Sequence, residues 1–256
     1  MLVNHNVYID FEAITNPFAR LIKLPSGIPY CYTIGLLNKK GVFETSTFII
    51  DFHKHRGIES IWFFLKKNII DDIKRINDEI DVNKVVFIGH NPELEKKCIK
   101  KIFPDHQVLP LIKQREVSLS KLTAKTFKNE YFINTKQLIE KLQGKKVYDS
   151  LMHRSGAIAS YAGYWLYVNS LKNLRTKDSR ARYFISDINE KTFTKELKKY
   201  SKDDVLKMYY LASIPERHDE LVKEVLYKQE LLKQINNLNL NDKLTIKEIK
   251  EKIWEI

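Results

Sequence analysis

The stretch Asn6-Val7-Tyr8-Ile9-Asp10-Phe11-Glu12-Ala13-Ile14 is an apolar, β-branched run that carries two carboxylates. A strand turns residues i and i+2 to one face, so Asp10 and Glu12 project side by side while Val7, Ile9 and Phe11 face a core on the other. Two neighbouring carboxylates repel unless a cation sits between them. The first strand is therefore read as one wall of a cation site, and its other ligands are sought further along the chain.

Thr15-Asn16-Pro17-Phe18 and Leu24-Pro25-Ser26-Gly27 read as turns. Residues 28–37 and 42–50 read as two strands joined at Asn38-Lys39-Lys40-Gly41, which makes an antiparallel three-strand meander with the first. Across 57–80, Ile58, Ile61, Trp62, Leu65, Ile69, Ile73 and Ile76 recur at three- and four-residue spacing, an amphipathic helix. Residues 84–89 then form a short apolar run expected as a buried strand. His90-Asn91-Pro92-Glu93 looks like a helix start, with Asn91 as N-cap, Pro92 at the first helical position, and Leu94, Cys98, Ile99 and Ile102 as its buried stripe. Strand, helix, strand, helix after a meander predicts an α/β layer architecture with a mixed central sheet.

Further along, the second half of 118–142 reads as helix ending near Gly144, and Lys146-Val147-Tyr148-Asp149 as a short strand entering a helix. Residues 155–167, rich in Ala, Gly and Tyr, are consistent with a loop or a short helix, and 169–174 with a capped helical turn. A long helix is expected over 194–214, with Leu197, Tyr200, Asp204, Met208 and Leu211 on one stripe. Pro215 interrupts it, a further helix follows over 216–236, and 240–256 could add a short amphipathic one. The domain expectation is 1–215, with 216–256 as a helical C-terminal extension.

With 256 residues and 43% hydrophobic content the chain can bury a substantial core. It has no run of eighteen apolar residues and no signal-peptide pattern, so no membrane span is expected and the cytoplasm is the expected location. Two distant cysteines, Cys31 and Cys98, support neither a disulfide framework nor a zinc ribbon. The formal charge of +12 is compatible with a polyanionic partner, although a lysine-rich, Ile- and Asn-rich composition has that charge without any such selection.

Three acidic sites stand out together: Asp10-Phe11-Glu12 at a strand end, Asn91 to Glu95 at a helix start, and Tyr200 to Asp204 in a late helix. Alone, each has a plain reading. An acid-x-acid tripeptide arises by chance about four times in such a chain, Tyr200 could be a core tyrosine, and Glu95 a solvated charge beside Lys96 and Lys97. Together, in order and on the right element types, they resemble the DnaQ-like (DEDDy-type) 3′→5′ exonucleases of the RNase-H-like superfamily. There D-x-E is matched by Asp10 and Glu12, the asparagine and the acid four residues on by Asn91 and Glu95, and Y-x-x-x-D by Tyr200 and Asp204. One departure is Glu95, where the family usually has Asp. More narrowly, the D-F-E start, Pro29-Tyr30, Glu95, Asp149 and Ser170-Leu171-Lys172 resemble a bacterial subfamily often fused to RecB-like nuclease modules.

The resemblance implies an RNase-H-like mixed sheet with flanking helices, and hydrolysis of single-stranded DNA or RNA with two Mg²⁺ or Mn²⁺ ions. Oxygen ligands suit those ions, and a metal pair can serve both the attacking and the leaving oxygen. It implies that Asp10 bridges both ions, Glu12 and Asp204 bind the first, Glu95 reaches the second, and Tyr200 orients the attacking water. Phe11 or Leu94 is expected to wedge or stack the terminal nucleotides, with Asn91, Lys172 and Arg175 as further substrate contacts. Two alternatives stay open: a nucleic-acid-binding or assembly module with little catalysis, and an endonuclease on the same scaffold. Among the remaining candidates, Asp149 is read as lining the site or capping a helix, and Asp203 as solvent-facing. Asp51, His53 and His55 read as a polar turn and His90 as a structural histidine. Lys172, Arg175, Lys177, Arg180 and Arg182 read either as a strand-binding segment or as a solvated loop.

Overall fold

The computed structural model describes residues 5–114, 117–154, 156–172 and 178–237, together with 245, 246 and 248. Five strands form one mixed sheet. They are β1 (His5–Ile14), β2 (Ile28–Leu37), β3 (Phe43–Ile49), β4 (Val85–Gly89) and β5 (Val108–Pro110), in the order β3-β2-β1-β4-β5. The expected meander is present: β2 runs antiparallel to both β1 and β3, whereas β4 pairs parallel to β1 and to β5. A central first strand with an antiparallel hairpin on one side and parallel strands on the other is the RNase-H-like arrangement. The expected α/β fold is therefore the one observed.

Alternation along β1 sorts its side chains onto two faces. Val7, Ile9 and Phe11 enter the main core, shared with Ile61, Leu65, Ile69 and Ile73 of α2 (Ile58–Ile76) and with Cys98 and Ile99 of α3 (Glu93–Ile102). Tyr8, Asp10 and Glu12 face the other way, where α8 (Glu190–Ala212) crosses the sheet. Opposite Asp10 in the β1–β2 register stands Thr33, fully buried, whose hydroxyl hydrogen-bonds both Thr47 of β3 (2.7 Å) and Ser201 of α8 (2.9 Å). Gly35, two residues further on β2, lets α8 come close. A Cβ there would stand 2.7 Å from Val205 Cγ1 and would collide with the Phe43 ring.

α7 (Ala157–Asn169) lies beside α8 and is apolar around nearly its whole circumference, with every residue from Ala157 to Trp165 buried. Gly163 gives it room against β1 and β2, since a Cβ there would stand 2.5 Å from Tyr30 and 2.6 Å from Ile14. Its polar ring atoms are satisfied by the segment that follows: Tyr161 donates to Tyr183 O, Tyr164 to Arg180 O and Trp165 Nε1 to Ile185 O. The short-helix alternative for this stretch is thus the correct one, extended to thirteen residues.

Several boundaries differ from the sequence reading. Residues 146–149 are not a strand but lie inside α6 (Lys145–Met152), which turns from α5 (Ile133–Gln143) at Gly144 with φ +82°. Alternation over four residues is too short to distinguish a strand from one helical turn, and here Leu151, one turn on from Val147, is the buried anchor. α3 begins at Glu93 with Pro92 as its N-cap, and the Asn91 side chain makes no cap bond, its carbonyl accepting from the Glu93 amide instead. Pro215 opens α9 (Pro215–Asn237), a position where its missing N–H costs no helical bond. α9 packs on α8 and on the short α4 (Leu119–Leu122) through Val222 and Val225. Residues 173–174 of the expected capped turn, and nearly all of 240–256, lie outside the described residues. Among the described residues no helix is long and apolar enough to cross a membrane.

Since Gly35 is where helix and sheet meet, Gly35→Ala is expected to destabilise the protein by about 1–3 kcal/mol through overpacking. Urea unfolding measures this, and an unchanged midpoint would show that α8 does not depend on that close approach.

Candidate active site

Asp10 projects from the middle of β1, Glu95 from the first turn of α3, and Tyr200 and Asp204 from successive turns of α8. Those four line one cleft of about 550 Å³, together with His90, Asn91, Leu94, Met208 and the segment 117–120. Glu12 lies behind Asp10 and is buried. Five residues from three distant parts of the chain thus come together.

Burial first, then the charges of Glu12, Asp204 and Glu95, push the Asp10 carboxyl well above the ordinary carboxylate range. Glu12 is raised as well, by burial and then by Asp204, against a hydrogen bond from Asp10 that acts the other way. Burial raises Glu95 to about 7, although its Oε1 accepts from the Phe11 amide (3.3 Å), which favours the charged form. Asp204 is raised by burial and pulled back by Lys207, whose Nζ stands 2.8 Å from Oδ1. The Tyr200 phenol is raised well above its usual value, chiefly by the Glu12 charge and then by burial, so it stays a donor.

Among the described residues no three acid, histidine or cysteine side chains are placed as a group to hold a metal ion. Each acid is turned to a protein partner instead: Asp10 to Glu12, Glu95 to the Phe11 amide, Asp204 to Lys207. The donor set nevertheless fits a hard divalent cation. It is all oxygen, and all four acids are disfavoured as anions by burial, with mutual repulsion adding for Asp10 and Glu12, a cost that a bound cation removes.

The remaining expected site residues fare unevenly. Phe11 is only 3% exposed, packed edge-on against Tyr32 in the core, so its ring is not free to stack on a nucleotide. Strand alternation explains this: between two residues facing the cleft, Phe11 must face the core. Leu94 is half-buried on the cleft wall and Asn91 is exposed at its rim. Lys172 is exposed and does not line the cleft, while Arg175 and Lys177 lie outside the described residues. Arg180 is held by a two-pronged pair with Asp178, and Arg182 lies over the Tyr183 ring, so part of the basic segment has a local structural role. Asp149 is bonded to Lys145 on the exposed face of α6, neither lining the cleft nor capping a helix. The expected polar turn at Asp51 is present, with Asp51 accepting from the His53 amide and His55 stacked on Phe64. His90 donates from Nε2 to Val117 O (2.8 Å), and this bond ties the 117–120 wall to the end of β4.

Three participants were missed. Asp203 is not solvent-facing: it accepts from the Tyr131 hydroxyl at 2.9 Å. Tyr131 itself, from a stretch with no periodic signal, stands edge-on to Tyr200 with ring centres 5.2 Å apart. Lys207 is completely buried. Its signal was present in the spacing, since Lys207 stands three residues after Asp204 and seven after Tyr200, on the same helical face. Comparison with protein-family models, with curated proteins and with solved structures returns no match.

These shifts set the pH dependence of stability. A carboxyl with a raised folded-state pKa stabilises the fold fully below its unfolded value and loses that contribution as pH rises through the folded value. In the presence of chelator, stability should therefore fall between pH about 4.5 and about 7, with Glu95 contributing on the order of 3 kcal/mol. Thermal melting across this range, compared with Glu95→Gln, is the measurement. The variant keeps the acceptor for Phe11 and should flatten the profile, and superimposable profiles would rule out Glu95 as the titrating group. Mn²⁺ should raise the melting temperature of the parent most at the alkaline end.

Proposed function

We propose that this protein is a divalent-metal-dependent 3′→5′ exonuclease that hydrolyses phosphodiester bonds of single-stranded DNA or RNA, with two Mg²⁺ or Mn²⁺ ions as cofactors. The observation that carries the proposal is the gathering of Asp10, Glu12, Glu95 and Asp204, with Tyr200, around one cleft over the first strand of an RNase-H-like sheet. When bound, the ions supply charge stabilisation to the leaving oxygen and lower the pKa of a water.

The chain's own groups do the positioning. Asp10, whose carboxyl is influenced by Glu12, Asp204 and Glu95, would be the central ligand of the ions. Glu12 and Asp204 flank it on one side and Glu95 faces it from α3. Tyr200, held protonated by the surrounding acids, is a donor that can orient a water or a phosphate oxygen but is not a base. Leu94, Val117, Leu119 and Met208 give the cleft apolar walls for a sugar or base, and Asn91, Ser118 and Ser120 give it polar groups. The net charge of +12 favours a polyanionic substrate.

Digestion of end-labelled single-stranded DNA and RNA oligonucleotides, with Mn²⁺ and with chelator, tests the proposal. Metal-dependent release of mononucleotides from the 3′ end is expected. Asp10→Asn and Asp204→Asn should each lower the rate by about 10²-fold or more, and Tyr200→Phe by less, with the fold of each variant checked by thermal melting because Asp204→Asn leaves buried Lys207 without its counter-ion. Variants that digest at the parental rate would refute the assignment. Cutting of a circular strand would convert it to an endonuclease, and chelator-insensitive binding without cleavage to a binding module.

A further inference from the structure

Lys207 is a feature of the cleft's surroundings that the proposed chemistry leaves unexplained. Its side chain has no exposed surface, and its Nζ makes an ion pair with Asp204 Oδ1 at 2.8 Å. On its other side the ammonium lies over the Tyr131 ring, 5.1 Å from the centre. Burying an ammonium costs several kcal/mol unless its partner is well placed, so its geometry is tightly constrained. Tyr131 is fixed in turn, by its hydroxyl on Asp203 and by its edge contact with Tyr200. Asp204 and Tyr200 line the cleft whereas Lys207 does not, and the direct polar contact of Lys207 with a cleft residue is its bond to Asp204.

We infer that Lys207 is a positioning residue for the metal site: its bond to Oδ1 of Asp204 holds that carboxylate in one orientation, ready to receive a cation. This rests on the metal-dependent reading above. Two effects of the lysine oppose each other. Its positive charge repels an incoming cation, and its hydrogen bond removes the rotational freedom that Asp204 would otherwise lose on binding. A simple counter-ion would weaken metal binding, so removing it would tighten the site. A positioning residue has the opposite sign.

Mn²⁺ binding followed by the loss of the free-ion electron paramagnetic resonance signal separates the two without any turnover. The cycle comprises the parent, Lys207→Met, Asp204→Asn and the double variant, with folding checked by thermal melting. Lys207→Met is expected to bind Mn²⁺ about three- to tenfold more weakly than the parent, the range that ordering one flexible side chain commands. In the Asp204→Asn background the same substitution should change nothing further, because Lys207 acts only through Asp204. Unchanged or tighter binding by Lys207→Met would overturn the inference, as would an equal loss in both backgrounds, which marks a merely structural lysine. If Lys207→Met fails to fold, the double variant, which removes both charges of the buried pair, is compared with Asp204→Asn alone. Equal affinities then support the inference and a further loss overturns it. A parent that binds no Mn²⁺ would remove the metal reading and this inference with it, an outcome distinct from a parent that binds while Lys207 proves indifferent.

Discussion

The seating of α8 on the middle of the sheet is the constraint on which the site depends. Two contacts fix it: the buried hydroxyl pair of Thr33 and Ser201, and the absence of a side chain at Gly35 opposite Val205. Ser201 and Val205 bracket Asp204, so whatever positions them positions the carboxylate. The C-terminal part of the helix is held by aromatic contacts, with Phe43 and Tyr209 stacked at 3.8 Å and Tyr8 edge-on to both. A helix pinned at several points along its contact with the sheet can hold a cluster of like charges that would otherwise push it away.

That cluster is locally unfavourable. Asp10 and Glu12 are driven toward protonation by burial and by neighbouring acids, and only Asp204 among the four acids has a lysine against it. The surroundings offset this with an extensive core on the opposite face of the sheet and with α7, whose apolar circumference is enclosed by the 178–188 segment. Like charges gathered at one cleft are the arrangement expected where a cation completes the site. Lys207 fits the same logic, because its ion pair with Asp204 offsets part of the cost of gathering the acids.

Elements with strong periodicity were legible from residues alone. The Ile and Leu spacing of α2, the apolar run of β4 and the stripe of α8 all correspond to observed elements. Where periodicity was weak the reading failed or stayed open. α7 has no polar face, so its helical period is invisible in hydrophobicity, and α6 is too short for alternation and helical spacing to differ. Asp203 was misplaced because α8 is covered on a second side by Tyr131, a residue from a segment without regular pattern. Phe11 was offered two roles by the sequence, core and substrate contact, and burial on the face opposite Asp10 and Glu12 leaves it the first.

The sequence by itself determined which residue types could make an oxygen-rich site and which elements would carry them. Strand alternation put Asp10 and Glu12 on one face, and helical spacing put Tyr200 and Asp204 on another, because both periods are local properties of the backbone. Only the tertiary structure decided that these faces meet, that Glu95 comes in from α3 with the Phe11 amide on its carboxylate, and that a buried lysine stands behind Asp204. Those are contacts between residues distant in the chain, or depend on what covers a helix. They follow from the packing of α8 and α3 against the sheet, and although helical spacing puts Lys207 beside Asp204, its complete burial is not encoded locally.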